Sequence, residues 1–156
     1  MARLAQIAVL SLMLTSCFAT ASPVQRVTDA AREMNLATRF GHVDMAVRHV
    51  EASIQADFLE RRAEWGKGLR ILDVELAAIH IEDEEHATVT IDVAWSSVTD
   101  SLLRATKLTQ DWQNFTKGWK LVRERRPSGD VGLFGEALPQ LEPPHPDVHL
   151  PSRTIR

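Results

Sequence analysis

The chain has 156 residues, 44% hydrophobic and 25% charged, which suits one folded domain with a modest core and excludes an extended low-complexity protein. Its net charge is −3 with no basic block, which argues against nucleic acid as a partner. A single cysteine excludes an intrachain disulfide.

Residues 1–16 read as a signal peptide and stand outside the fold. Arg3 supplies the positive start, and Leu4–Leu14 is an apolar run too short to span a bilayer as a helix. Two cleavage readings compete. Leu14-Thr15-Ser16-Cys17 has the form of a bacterial lipobox, with cleavage before Cys17 and acylation of that cysteine. Ala19-Thr20-Ala21 offers ordinary cleavage before Ser22. The lone cysteine stands where a lipobox needs it, so the expectation is an exported protein anchored to the membrane through Cys17. Phe18, in place of an inner-membrane retention aspartate, points to the outer membrane and its periplasmic side. The alternative is a soluble periplasmic or secreted protein.

Apolar residues at Val24, Val27, Ala30, Ala31, Met34, Ala37 and Phe40 recur at helical spacing, with Pro23 suited to the first turn and Gly41 to the end. Val43–Ile54 and Gln55–Trp65 predict two further helices, the last turning Phe58, Leu59 and Trp65 inward. From Leu69 the period changes to two. Leu69–Ile81, Ala87–Val98, Leu102–Phe115 and Trp119–Arg126 predict four strands joined by short turns. Helices first and strands after give an α+β class: two to three N-terminal helices on a curved four-stranded antiparallel sheet. The domain is expected over residues 23–126. Residues 127–156 form a Pro-rich tail, extended or disordered, in which Leu133 and Phe134 can dock first.

Charge sets the expected registers. With the turn at Thr99-Asp100, Trp95 faces Arg104, Val93 faces Thr106, Ile91 faces Leu108, Val89 faces Gln110 and Ala87 faces Trp112. In the last hairpin, Trp112 opposite Trp119 puts Gln110 against Leu121, Leu108 against Arg123 and Thr106 against Arg125. The outer face then carries an Asp92–Lys107–Glu124 ladder. In the first strand Leu72, Val74, Leu76, Ala78 and His80 face in. That choice leaves Ile79 and Ile81 outside, which calls for a bulge or cover by the tail.

These registers gather Arg104, Thr106, Arg123 and Arg125 beside Trp95 at one end of the inner face, with Gln110 between them and the Trp112/Trp119 end. Guanidinium groups suit a carboxylate or phosphate, and Trp95 can stack on Arg104. Trp95, Arg104, Thr106, Gln110, Arg123 and Arg125 are therefore the candidate ligand-binding residues. The structural alternative pairs the arginines with helix acids such as Asp29, Glu33, Asp57, Glu60 or Glu64. His80 is the candidate general base of an enzyme reading. His80 and His86 flank Glu82-Asp83-Glu84-Glu85, a solvated turn without metal-ligand spacing. No nucleophile triad, phosphate loop or zinc spacing is present, and no cofactor is expected.

Phe40–Val47, Leu103–Trp112 and Gly118–Val122, ending in Gln-Asp-Trp and Gly-Trp-Lys-Leu-Val, resemble the nuclear transport factor 2-like superfamily of SnoaL-like and cystatin-like α+β cones. The superfamily holds ketosteroid isomerases, polyketide cyclases and non-catalytic binding domains. The resemblance, over about residues 24–126, implies a pocket between helices and sheet but no single function. An isomerase-type site uses an inward aspartate with Tyr or Asp donors. This chain has no tyrosine, and the expected register turns no acid inward, so no catalytic residue carries over. The expectation is a non-catalytic binding or accessory protein of the cell envelope, taking a small anionic or apolar ligand in the groove or dimerising through its sheet. The alternatives are an isomerase, cyclase or hydrolase, and a structural lipoprotein binding partners through its tail.

Overall fold

The computed structural model describes residues 21–139; the signal segment with Cys17 and the tail from residue 140 onward lie outside the described residues. Helix α1 (Pro23–Arg39) begins where the Ser22 hydroxyl accepts from Gln25 N at 3.2 Å, with Pro23 in the first turn. It buries Val27, Ala31, Met34 and Ala37 on one side. The expected second helix is broken. A single turn, α2 (Val43–Ala46), passes into a 3₁₀ turn at Val47–His49, and Val50 is extended. Val50 leaves the helix because it bridges Leu121 in parallel, and Glu51 N donates to Leu121 O at 2.9 Å. A second 3₁₀ turn, Ala52–Ile54, leads into α3 (Gln55–Arg61). Helix α3 ends four residues before Trp65, which bridges Leu69 instead. Phe58 is its buried apolar residue and Leu59 is exposed, contrary to expectation.

Four strands follow: β1 (Leu69–Ile81), β2 (His86–Ser97), β3 (Leu103–Phe115) and β4 (Gly118–Gly129), all antiparallel neighbours in chain order. The α+β class is as expected. The core lies between α1 and the inner face of the sheet: Val27, Ala31 and Met34 meet Val89, Ile91, Val93, Trp95, Leu108, Trp112 and Leu121.

The three strand pairs differ in regularity. Strands β2 and β3 pair without interruption from His86/Gln113 to Ser96/Leu103, in the register that charge and burial dictate. Asp92 stands opposite Lys107, and their side chains are bonded. Strand β1 carries irregularities at Leu72 and Ala77. Each extra residue reverses which side faces in. Ile71, Val74, Leu76, Ile79 and Ile81 therefore pack against the core, while Leu72, Ala78 and His80 are exposed. The inward placement of those three is corrected, and the isoleucines that signalled a bulge are accounted for.

The β3–β4 hairpin departs furthest. Phe115 pairs with Gly118, so the turn is the two residues Thr116-Lys117, closed by Gly118 at φ +101°. Trp119 then faces Asn114 and Trp112 faces Leu121, a shift of two residues that keeps both tryptophans inside. Beyond Leu121 the parity changes: Asp111 pairs with Arg123, and Val122 is the extra residue. Arg123 and Arg125 are thereby turned outward and Glu124 inward. A second irregularity falls at Arg126-Pro127, where proline has no N–H for the ladder, and Lys107 ends opposite Ser128. The third rung of the expected charge ladder is absent because the Val122 bulge turns Glu124 inward, opposite Gln110.

The chain continues from β4 across the Trp95 end. Asp130 N donates to Ala105 O, and the Asp130 carboxylate accepts from Ala105 N at 2.8 Å. Leu133 is fully buried and its carbonyl accepts from Trp65 Nε1 at 2.8 Å. Gly132 lies so close to Trp95 that a Cβ there would approach the ring to 3.0 Å. Glu136 holds the segment's own turn, accepting from Gly132 N and Phe134 N, and pairs with Arg126 at 2.7 Å.

Candidate functional site

The six candidate residues separate into three places. Trp95, Arg104 and Thr106 remain together at the rim. Trp95 Nε1 donates to Thr106 Oγ1 at 2.9 Å, and the Thr106 hydroxyl donates to Asp130 O at 2.8 Å. The Arg104 guanidinium lies 5.3 Å from the Trp95 ring centre and makes two bonds to Asp100, at 2.9 and 2.5 Å. Asp100 is held at a pKa of about 2, first by the Arg104 hydrogen bonds and next by the Leu102 amide. The Trp95 indole N–H, the Thr106 hydroxyl and both terminal nitrogens of Arg104 are thus committed within the protein, and the segment after β4 packs against Trp95 and Thr106.

Arg123 and Arg125 do not join it. They stand on the outer face, with side chains 68% and 55% exposed, and both meet Asp111, at 3.6 and 3.0 Å. The expected anion-binding cluster is therefore corrected: the Val122 bulge separates its members. The arginines are paired, but with acids of the sheet and its turns and not with the helix acids considered above.

Gln110 occupies the centre of the fold and belongs to a buried polar network that the sequence did not reveal. Asn35 Nδ2 donates to Gln110 Oε1 and Gln110 Nε2 donates to Asn35 Oδ1, both at 3.0 Å. The remaining amide hydrogens go to Ala31 O and to Glu124 Oε1, each at 2.8 Å. Glu124 Oε1 also receives Arg62 Nη2 at 2.7 Å. The side chains of Arg62 and Glu124 are only 1% and 4% exposed. The Arg62 guanidinium carbon lies 3.7 Å from the Phe58 ring centre and 4.9 Å from that of Trp65. Glu124 Oε2 and Arg62 Nε and Nη1 have no hydrogen-bond partner among the described residues.

An inward acid therefore exists, against expectation. Its surroundings are not those of a general base. A base needs a substrate proton within about 3 Å, whereas Glu124 is closed in by Arg62 and Gln110. The hollow beside it, between Phe58, Leu121 and Glu124, holds about 80 Å³. His80 is exposed on β1 and faces away from this interior. Among the described residues no three His, Cys, Asp or Glu side chains converge as metal ligands.

The groove between helix and sheet survives as a cleft of about 390 Å³ between α1 and β1. Its apolar lining is Ala31, Val74, Leu76 and Ile91, and Asn35 joins it to the buried network. Arg32, Asp73 and Glu75 add charge. The Val74 and Leu76 lining was legible in the strand alternation; Asn35 lay unremarked on the inner side of α1.

No protein-family model matches the chain, and no curated protein matches it. Among solved structures it is similar to a ketosteroid isomerase-like protein from Erwinia carotovora atroseptica, with TM-score 0.55 and 9% identity over 70% of this chain and 99% of that one. A SEC-C motif containing protein from Rhodopseudomonas palustris gives TM-score 0.54 and 11% identity, over 64% of this chain and 77% of that one. A protein of unknown function with a cystatin-like fold from Nostoc punctiforme gives 0.50 and 11%, over 69% and 95%. At such identities the likeness is one of fold, and the fold is that of the ketosteroid isomerase-like and cystatin-like proteins.

Proposed function

We propose that this is an exported, Cys17-anchored, non-catalytic binding protein of the cell envelope that takes a small apolar ligand in the cleft between α1 and β1. The cleft carries the reading: it has the size of a small-molecule site, an apolar floor of Ala31, Leu36, Val74, Leu76 and Ile91 and a charged margin of Arg32, Asp73 and Glu75, while Asn35 is spent on the buried network. The neutralised interior acid supports binding without chemistry. Arg104, Arg123 and Arg125 are spent on Asp100 and Asp111 away from the cleft, and the cleft's own Arg32 stands with two carboxylates, Asp73 and Glu75, so the ligand is apolar, not anionic. Export and anchoring rest on the Leu4–Leu14 run followed by Cys17.

The ligand reading is tested by titrating decanol and cyclohexanol into isotope-labelled protein. The expected result is saturable resonance shifts confined to Ala31, Asn35, Val74, Leu76 and Ile91, lost in Leu76→Arg. Shifts elsewhere, or none, overturn it. Anchoring is tested apart, by mass spectrometry of the mature N-terminus: a diacylated Cys17 supports it and an unmodified Ser22 start removes it.

A second reading has its own observation. The outer sheet face carries Asp73, Glu75 and Asp92 toward one margin and Arg123 and Arg125 toward the other, with Glu75 directly opposite Asp92. Such a face is complementary to a second copy of itself related by a two-fold axis. Light scattering checks it: a dimer that Glu75→Lys dissociates and Glu75→Lys with Arg123→Glu restores.

A further inference from the structure

A different concavity lies at the opposite end of the sheet from Trp95. The β3–β4 turn, the start of β4 and residues 48–55 enclose about 340 Å³. Three cations line it, Arg48, Lys117 and Lys120, around Val50 and Phe115. Phe115, at the end of β3, is 41% exposed and gives the concavity an apolar side. Among the described residues none of these three cations forms an ion pair, as is also true of Arg26, Arg32, Lys67 and Arg70; Arg48, Lys117 and Lys120 are the ones that share this concavity. The one carboxylate in the lining, Glu51, is already engaged: its Oε2 accepts from Ser53 N at 2.7 Å and from the Ser53 hydroxyl. The Lys120 ammonium donates to the backbone carbonyl of Arg48, which ties β4 to the 3₁₀ turn.

Unpaired cations around an apolar wall select a ligand with a charged head and an apolar body. We propose that this concavity binds a phosphate-bearing amphiphile, its phosphate held by Arg48 and Lys117 beside Lys120 and its chain laid over Phe115 and Ala52. Arginine offers a planar fork to phosphate oxygens, and lysine a point charge. The position bears on the source of the ligand. An adjoining depression is shared by Arg26 and Asp29 of α1 with Lys117 and Lys120, so the start of α1 lies beside this site. Cys17 precedes Pro23 by six residues, a reach of roughly 20 Å at about 3.3–3.6 Å per residue. On the anchoring reading the site therefore lies within reach of phospholipid headgroups. Only that source depends on anchoring; the site itself does not.

The neighbouring turn decides between one bound molecule and broad adhesion to a membrane. Glu82, Asp83, Glu84 and Glu85 stand at this same end, with Asn114 N donating to Glu85 O at 2.7 Å. Four acids oppose close apposition of a whole anionic surface, so the site takes a single head into its concavity.

The test uses the full chain with Cys17→Ala, so that acylation plays no part. Dodecyl phosphate, below its micelle concentration, is titrated calorimetrically and by resonance shifts, with dodecanol as control. Vesicles of phosphatidylethanolamine with and without phosphatidylglycerol form the second arm. Dodecyl phosphate is expected to shift Arg48, Phe115 and Lys117, and dodecanol is not. Arg48→Glu with Lys117→Glu should weaken binding by roughly tenfold or more, with an unchanged melting temperature. Phe115→Ser should weaken binding of the amphiphile and leave inorganic phosphate unaffected. Binding of free dodecyl phosphate without vesicle binding assigns a free amphiphile. Co-sedimentation with phosphatidylglycerol vesicles that the double variant abolishes assigns the lipid headgroup. Binding in neither arm, or binding that survives the double variant, overturns the site. Since the chain tested is unacylated, that failure is distinct from a failure of the anchoring reading.

Discussion

Two arginines are buried among the described residues, and they are held in opposite ways. Arg104 sits at the rim and takes its carboxylate, Asp100, from the adjoining turn, four residues away. Arg62 sits at the centre and takes Glu124 from the far strand, 62 residues away. The first pair closes a turn; the second locks the helical layer to the sheet. The difference is one of dielectric and of alternatives. Asp100 can turn to water if Arg104 is lost. Glu124, shut in by Gln110 and Leu121, has no such recourse.

Breaking the central pair should therefore have the largest effect. Arg62→Met leaves a buried carboxylate without its countercharge and is expected to cost about 3–5 kcal/mol, measured by denaturant unfolding. The same principle makes the double change Arg62→Met with Glu124→Leu milder than either step suggests, because two apolar groups of similar size need no desolvation. A single-variant loss no greater than that of an exposed pair would mean that the pair is wet and the contrast with Arg104 unfounded.

The covering segment is next. Leu133→Ala removes a fully buried side chain from the Trp95 end and is expected to cost about 2–5 kcal/mol. Phe134, half-buried with Arg61 5.2 Å from its ring centre, should matter less. Equal and negligible effects of both on the melting temperature would show that residues 130–138 lie on the body without stabilising it. A large Leu133 effect makes the rim a closed part of the core, as its internal hydrogen bonds imply.

How much of this was legible follows from the same contrast. The β2–β3 register could be read because apolar and polar residues alternate from Ala87 to Val93 and Asp92 meets Lys107. Trp95, Arg104, Thr106 and Gln110 were placed inward on that basis, and they are. The Val122 bulge had no comparable signal. Leu121 and Val122 are both apolar, so either can face in, and Arg123-Glu124-Arg125 is charged throughout, so charge does not say which member turns inward. Arg62 was hidden for a related reason: it follows α3, whose seven residues are too few for periodicity to fix an inner side. Ile79 and Ile81 did report their bulge, because two large apolar residues on a solvent face are a visible contradiction. Ordinary side chains betray a parity change only when it strands something costly.

The rim pair gives the next, smaller test, and pH isolates it. Asp100 titrates near 2 in the folded chain against an ordinary value of 3.8, so its folded pKa is depressed. Its stabilising contribution is present above the ordinary value and is lost as pH falls through about 2. Carboxyl titration by nuclear magnetic resonance should find that midpoint, and Arg104→Met should return it toward the ordinary value and remove that contribution at neutral pH, a smaller loss than breaking the central pair. A midpoint indifferent to Arg104 would assign the depression to the Leu102 amide alone.

The smallest effect belongs to the pair that was easiest to read. Asp92 and Lys107 are both about half exposed on the outer face, and a double-mutant cycle should give no more than about 1 kcal/mol between them. Its value is as a reporter of register. Lys107→Glu sets like charges opposite one another and should destabilise slightly, and Asp92→Lys in the same chain should restore what was lost. The same exchange between Lys107 and Glu124 should restore nothing, because Glu124 faces the interior and Ser128 stands opposite Lys107. Recovery in that second cycle would place Glu124 on the outer face, remove the Val122 bulge and dissolve the central Arg62 pair with it. The second cycle thus tests the central pair, since one extra residue in β4 decides whether Glu124 answers Arg62 or stands on the outer face with Lys107.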